Sequence, residues 1–311
     1  MTPNLGYCCI NQTLRKQDIY SSRTFIRRNF TIAKASQLAL QNVKDILKIL
    51  HWNEQHNIRV FRIGSEPLPR SNDPEVGYSV NQLPDSQEIT DTLKQIGRFA
   101  QSHDHHLSFH PGQFVCIGSP KESVRQLGIL ALERENEVAD IICSEYHNHL
   151  PINIHVGGCY SGDYVGTASR FINSFKSLSK SLQSRLVVEN DDKAACWSVN
   201  DLYCYLTSQI DIPITFDIHH WHFRHTADSI VQDFLTAYST WGTRSAQVHY
   251  SESANPNKLI TAHSDYYSQP LPDWILDKNV HIHLEAKEKE LALQKLVLDF
   301  YSPKDIMVGT K

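Results

Sequence analysis

Histidine, aspartate and glutamate recur in this chain at one kind of place, the end of a short apolar run. His110 closes LSF, His155 closes INI, Glu189 closes LVV, Asp217 closes ITF, His249 closes AQV and Glu285 closes VHIHL. Glu66 follows an earlier run in RIGSEPLP. One polar residue at a strand end is ordinary. A converging set of carboxylates and histidines is different, because like charges repel and each group loses its water. Divalent cations remove that penalty. Mixed nitrogen and oxygen donors suit Zn²⁺ or Mn²⁺ better than Mg²⁺ or Ca²⁺. His220, in FDIHH after Asp217, and His263, in TAHSDYY just before Asp265, add two donors. The set suffices for two or three ions, and closely spaced ions clamp a phosphodiester, activate a water and stabilise the leaving oxygen. The expected chemistry is metal-dependent phosphodiester hydrolysis.

Such residues need a scaffold that gathers strand ends. The apolar runs are LGYCCI (5–10), IRVFRI (58–63), HLSFH (106–110), INIHV (152–156), RLVVEN (185–190), ITFDIHH (214–220), AQVHYS (246–251) and VHIHLEA (280–286). Several are continuous rather than alternating, as strands buried on both faces of a parallel sheet are. Amphipathic stretches separate them: 36–55 with Ser36 as a candidate N-cap, then 86–102, 121–146, 167–182, 198–208, 226–241 and 286–300. Strands alternating with helices give a βα barrel or a doubly wound sheet. No G-x-G-x-x-G follows the first run, which removes the dinucleotide argument for the open sheet. The expectation is an α/β fold, a (β/α)₈ TIM barrel. It forms one domain over 1–311 with its core at about 4–301, and all strand C-termini open on one face.

Composition fits that scaffold. The 311 residues are 41% hydrophobic and 21% charged, ordinary for a soluble globular chain. No apolar run is long enough to span a bilayer, and the first residues lack a signal peptide's pattern. A cytoplasmic monomer with no membrane partner is expected. The seven cysteines contain no C-x-x-C pair and read as reduced packing residues. Among the 17 histidines, the run His103 to His106 reads as a solvated turn. The net charge of −4 argues weakly against a general polyanion binder. A local basic stretch, with Arg15, Lys16, Arg23, Arg27, Arg28 and Lys34 against Asp18, could meet phosphates or be a solvated loop.

The segments LGYCCIN, NVKDILKILHWNEQHNIRVFRIGSEPLP, SFHPGQFV, INIHVGG, LVVEND, FDIHHW, VHYS, AHSDYY and LEAKEKE stand in order over residues 5–300. In these the chain resembles the UV damage endonuclease family and, more distantly, endonuclease IV. The resemblance implies a barrel holding up to three divalent ions, commonly manganese, and a damaged double-stranded DNA substrate. It implies cutting immediately 5′ of cyclobutane dimers or 6-4 photoproducts, leaving 3′-hydroxyl and 5′-phosphate ends, with abasic sites as an additional substrate. Carried over residue by residue, Glu189 is the bridging carboxylate and shares one ion with His110 and His155. Asp217, His249 and Glu285 hold a second ion, and His220 and His263 a third. The catalytic set implied is Glu189, Asp217, His249 and Glu285.

In the same family the residues after the HPG turn probe the duplex opposite the lesion. Here they are Gln113 and Phe114, an amide able to bond an orphaned base and a ring able to fill a vacated stack. Tyr7 and Asn11 match residues near the lesion or scissile phosphate. Two positions depart from the pattern. Glu66 stands where relatives have Asp or His. Gln247 replaces a lysine that can be carboxylated, so the ion beside His220 and His263 is expected to be held most weakly. Two other readings fit part of this inventory: a metal-dependent sugar isomerase or epimerase on the same barrel, and a damage-binding protein without catalysis.

Overall fold

The computed structural model describes residues 4–301. Eight parallel strands close into a barrel in sequence order, with β8 pairing back on β1. They are β1 (Asn4–Cys8), β2 (Val60–Ile63), β3 (His106–Phe109), β4 (Ile152–His155), β5 (Leu186–Glu189), β6 (Ile214–Asp217), β7 (Ala246–Tyr250) and β8 (Val280–Leu284). Helices connect them: α1 (Gln12–Arg15), α2 (Ile32–Gln55), α3 (Ser86–Ser102), α4 (Glu122–Cys143), α5 (Tyr164–Ser177), α6 (Lys180–Arg185), α7 (Val199–Leu202), α8 (Ile218–Trp221), α9 (Ile230–Ser239), α10 (Asp273–Leu276) and α11 (Lys289–Phe300). Every expected run overlaps a strand, each shorter than its run, and β1 begins one residue before its run, at Asn4. ITFDIHH splits instead: Asp217 ends β6 and caps α8, its carboxylate accepting from the His220 amide at 2.7 Å.

Side chains at alternate strand positions go to opposite faces of the sheet. One set is aliphatic or aromatic and packs under the helices: Phe61, Ile154, Val188, Phe216, Val248 and Ile282 are all buried. The other set meets inside the barrel and is mostly polar. His106 of β3 stacks on His281 of β8, ring centroids 3.5 Å apart, and His110 lies 5.8 Å from His249. Close approach of the first strands depends on Gly6, where a Cβ would fall 1.9 Å from the Val60 carbonyl oxygen. Outside, α2 turns Ala35, Ala39, Val43, Ile46, Ile49 and Leu50 inward, all fully buried. Each large aliphatic side chain among them contributes about 1.5–3 kcal/mol on transfer.

Three local expectations are corrected. The N-cap of α2 is Thr31, which accepts from the Lys34 amide at 3.1 Å. Ser36 lies inside the helix, buried, where its hydroxyl donates to Asp85 at 2.7 Å and accepts from the Asp85 amide at 2.9 Å. Residues 103–106 are not a solvated turn throughout. His105 is fully buried at 2.9 Å from Glu54, and His106 begins β3. Burial pushes the His105 imidazole down to about 4 although Glu54 pulls the other way. All seven cysteines are free thiols, but Cys204 is exposed, its thiol 3.6 Å from the Asn200 side-chain oxygen. No helix among the described residues is long and apolar enough to cross a membrane.

Candidate metal centre

Because all eight strands are parallel, their carboxyl ends bring the predicted residues to one mouth of the barrel. Glu189, at the end of β5, is the hub. Its Oε2 lies 3.0 Å from His110 Nε2 and 3.9 Å from His155 Nε2. Its Oε1 lies 3.1 Å from His249 Nδ1 and 3.4 Å from His220 Nδ1. His249 Nδ1 also faces Glu285 at 3.5 Å and Asp217 at 4.0 Å. His263 Nδ1 lies 3.8 Å from Glu285. Two triads, His110–His155–Glu189 and Glu189–Asp217–His249, present ligand atoms close enough to share an ion. Glu189 belongs to both, the position a bridging carboxylate needs.

The ring orientations fit a metal. His110, His220 and His263 each have Nδ1 near a backbone carbonyl, of Pro111 at 3.0 Å, Asn190 at 2.9 Å and Glu285 at 3.1 Å. In His110 this contact fixes the tautomer and leaves Nε2, the atom facing Glu189, free to ligate, whereas in His220 and His263 the Nδ1 that meets the carbonyl is also the nitrogen facing Glu189 and Glu285. His155 Nδ1 faces the Asp191 carboxylate at 3.6 Å. Asp217 Oδ2 and His249 Nδ1 are buried without a hydrogen-bond partner. Buried polar atoms without partners are costly, and a cation answers both.

The electrostatics agree. Burial would raise Glu189, but the facing histidines, His249 and His155 foremost, hold it well below the usual carboxylate range. Burial lowers His155 to about 4. Burial also raises Asp217, to about 7, with Glu189 and Glu285 adding repulsion against the pull of His220. Crowded carboxylates that disagree about their protons are what a divalent ion would reconcile.

Several positions differ from expectation. Glu66 belongs to neither triad: it is exposed, at φ 57°, and accepts from Asn72 at 2.7 Å. Tyr7 and Asn11 are fully buried. Asn11 donates to the Tyr7 hydroxyl at 2.9 Å, which donates to Asn53 of α2 at 2.6 Å; Asn11 also caps α1. Both side chains therefore lock the β1 turn onto α2. Asp265 is exposed and sits 3.5 Å from Lys287. Gln247 touches His249, Nε2 to Nε2 at 2.9 Å, rather than His220 or His263. Gln113 and Phe114 are exposed beside the mouth, Phe114 by 84%, so its ring packs under nothing.

Four residues complete the site without having been read from the sequence. Arg62 of β2 is ion-paired with Glu285, and Asn153 of β4 donates to Glu189. Asn190 clasps the Asp217 backbone with both ends of its amide, at 2.8 and 2.9 Å. Asp191 backs His155. Asp191 and Asn190 follow Glu189 directly in LVVEND, a readable signal. Arg62 and Asn153 sit inside apolar runs, where inward direction alone gives them a role. In the basic stretch, Arg23 pairs with Asp45 at 2.7 Å and Arg27 with Asp73 at 2.9 Å. Arg15, Lys16, Arg28 and Lys34 are exposed.

The family model described as UV-endonuclease UvdE matches residues 3–310. A UV-damage endonuclease of Schizosaccharomyces pombe is 32% identical over 94% of this chain and 50% of its own length. The chain therefore spans half of that relative. A UV DNA damage endonuclease of Clostridium perfringens is 30% identical over 94% of this chain and 69% of its own. The crystal structure of SacUVDE superposes with a TM-score of 0.82 at 26% identity, covering 95% of this chain and 97% of that one. A 3-keto-D-glucoside 4-epimerase from E. coli shares the barrel, TM-score 0.54 over 94% of this chain and 96% of that one, at 12% identity, a likeness of fold alone.

Proposed function

The chain belongs to the UV-endonuclease UvdE family, and from that premise we propose that it is a divalent-metal-dependent DNA endonuclease cutting immediately 5′ of UV photoproducts. Cyclobutane dimers and 6-4 photoproducts are its substrates, with abasic sites in addition, and the products carry 3′-hydroxyl and 5′-phosphate ends. It works as a monomer and as one barrel domain. The observation that carries this reading is the convergence of two ligand triads on Glu189, with unpartnered Asp217 Oδ2 and His249 Nδ1 between them.

In this reading Glu189 bridges, His110 and His155 complete one position, and Asp217, His249 and Glu285 a second. His220 and His263 serve a third, with Mn²⁺ or Zn²⁺ matching the donor types. Bound ions would supply Lewis acidity toward the phosphate and a nucleophile at neutral pH. The chain's own groups do the rest. Carbonyl contacts hold His110, His220 and His263 so that one nitrogen of each faces the centre. Arg62 balances Glu285 from inside the barrel. Exposed Arg15, Lys16, Arg28 and Lys34 follow β1 toward the same mouth, where they suit backbone phosphates. Gln113 and Phe114 project from the β3–α4 loop to enter the duplex, the amide toward an unpaired base and the ring into the gap.

The test is nicking of a duplex carrying one cyclobutane dimer, titrated separately with Mn²⁺, Zn²⁺ and Mg²⁺. Glu189→Gln keeps the shape of the hub and removes its charge. It is expected to reduce nicking to the enzyme-free background with an unchanged circular dichroism spectrum. Near-normal nicking by that variant at saturating Mn²⁺ would sink the proposal, as would turnover of keto-sugars without nicking.

A further inference from the structure

The barrel has a second polar opening at the amino-terminal ends of its strands, opposite the metal centre. A cavity of about 310 Å³ enters there. On the liquid share of roughly 30 Å³ per water, it has room for several molecules. Arg244 stands at its lip, His106, Ser108 and His281 form its wall, and Gln247 and His283 its floor. Aspartate and glutamate are absent from its lining. The nearest carboxylates on the lining groups turn to solvent: Asp211, 2.9 Å from Arg244 and 87% exposed, and Asp104, 3.9 Å from His106 and 78% exposed.

This lining is unusual for the bottom of a barrel, which apolar layers ordinarily fill. It leaves hydrogen-bonding capacity unused. Both ring nitrogens of His281, Nδ1 of His283 and the hydroxyl of Ser108 are buried without a partner. Unpaired buried polar atoms in a native barrel call for a missing partner. A cation does not fit, because the lining offers no anionic oxygen. An apolar ligand does not fit either, because it would leave the same atoms unpaired.

We propose that the amino-terminal mouth of the barrel is a binding site for a small tetrahedral oxyanion, phosphate or a phosphate monoester. Burial holds the His106 and His281 imidazoles below their ordinary range, so each is neutral at pH 7. A neutral imidazole carries one N–H donor and one acceptor nitrogen. Hydrogen phosphate has acceptor oxygens and a P–OH donor, so it can satisfy both kinds at once. Ser108 adds a hydroxyl, and Arg244 supplies the positive charge at the entrance. Arg244 is held at the lip, its Nε donating to the Trp241 carbonyl at 3.1 Å and its Nη2 to Asp211 at 2.9 Å, so Nη1 is the donor left for the anion.

The site is separate from the metal centre but adjoins it from behind. Gln247 lines the floor and also touches His249. The experiment therefore has to exclude phosphate held at the metal ligands. Titration calorimetry on the full chain, freed of metal by chelation, would use inorganic phosphate in one arm and a nucleoside 5′-monophosphate in the other. Saturable binding of one equivalent is expected, weakened by about tenfold or more in His281→Phe and in Arg244→Gln, and unchanged in Glu189→Gln. Arg244→Gln alters only the lip, so it reads the site even where His281→Phe disturbs the barrel. Binding in both arms assigns a site open to esters, and binding of phosphate alone assigns the free ion. Absence of saturable binding in both arms overturns the proposal. So does binding that Glu189→Gln removes and the two cavity variants leave intact.

Discussion

Gln247 reaches the candidate metal centre through one atom of one proposed ligand. His249 turns Nδ1 toward Glu189, Asp217 and Glu285, and Nε2 toward the Gln247 amide. A ligating Nδ1 must be unprotonated, so the proton has to sit on Nε2, and Gln247 must then turn its oxygen to the ring. Amide orientation is an assignment, and this chemistry chooses it. Gln247→Leu removes the acceptor and is expected to weaken Mn²⁺ affinity by about 10–100-fold. Gln247→Glu supplies an anionic acceptor and is expected to restore or improve it. Calorimetric Mn²⁺ affinities equal across the three proteins would show that the amide does not set the tautomer. Six of the eight ligand candidates were legible because each closes an apolar run, where burial makes a polar residue conspicuous; His220 and His263 lie beyond such runs and were weak signals alone. The partner of Gln247 was not legible, since spacing in a sequence does not say which ring nitrogen faces inward. Nor does the sequence show that Tyr7 and Asn11, four residues apart, bond to each other.

At the scale of elements, α4 carries a carboxyl group that answers to pH. Glu135 is buried beneath the loop that bears Gln113 and Phe114, in a small cavity shared with Glu66, Pro111 and Gly112. Burial, with Glu66 adding repulsion, pushes its carboxyl up to about 8. The folded state thus favours the neutral acid, while the unfolded chain ionises near the ordinary value of about 4.3. Stability from this group is whole below that value and is lost as pH rises toward 8. Glu135→Gln should match the parent in the unfolding free energy from urea titration at pH 4 and exceed it at pH 9, by on the order of a few kcal/mol. Parallel stability curves across that range would refute the assignment. The loop above has its own test. Gln113→Ala with Phe114→Ala should lower damaged-duplex affinity by about one to two orders of magnitude, since a stacked aromatic contributes roughly 1–3 kcal/mol. The single-turnover rate at saturating enzyme should hold; a collapsed rate with intact affinity would move the pair to the chemical step. Helix periodicity gave 86–102 to the residue, whereas the start of α2 lay four residues earlier than expected. Ser36 imitates a cap in sequence, yet its hydroxyl is taken by Asp85 from a distant loop.

At the scale of the whole molecule, the alternation of apolar runs and amphipathic stretches was enough to order eight strands, because a parallel barrel leaves each strand one place beside its predecessor. What that alternation could not reveal is how polar the barrel's interior is. His281 and His283 lie in a run that reads as a strand on either face, and only closure of β8 against β1 and β7 turns them inward. The outside of the molecule is easier to characterise by its light. The chain has five tryptophans, and all are buried or half-buried, so native emission reports the core and little else. Phe114, by contrast, stands 84% exposed at the tip of the probe loop. Phe114→Trp would place a single solvated indole where the duplex is expected to arrive, adding a red-shifted component to the spectrum. Stacking among bases should quench that component as damaged DNA is added, and undamaged DNA of the same sequence should quench it far less. The bare ring is thus a ready-made optical window on lesion capture, one that closes before any bond is cut.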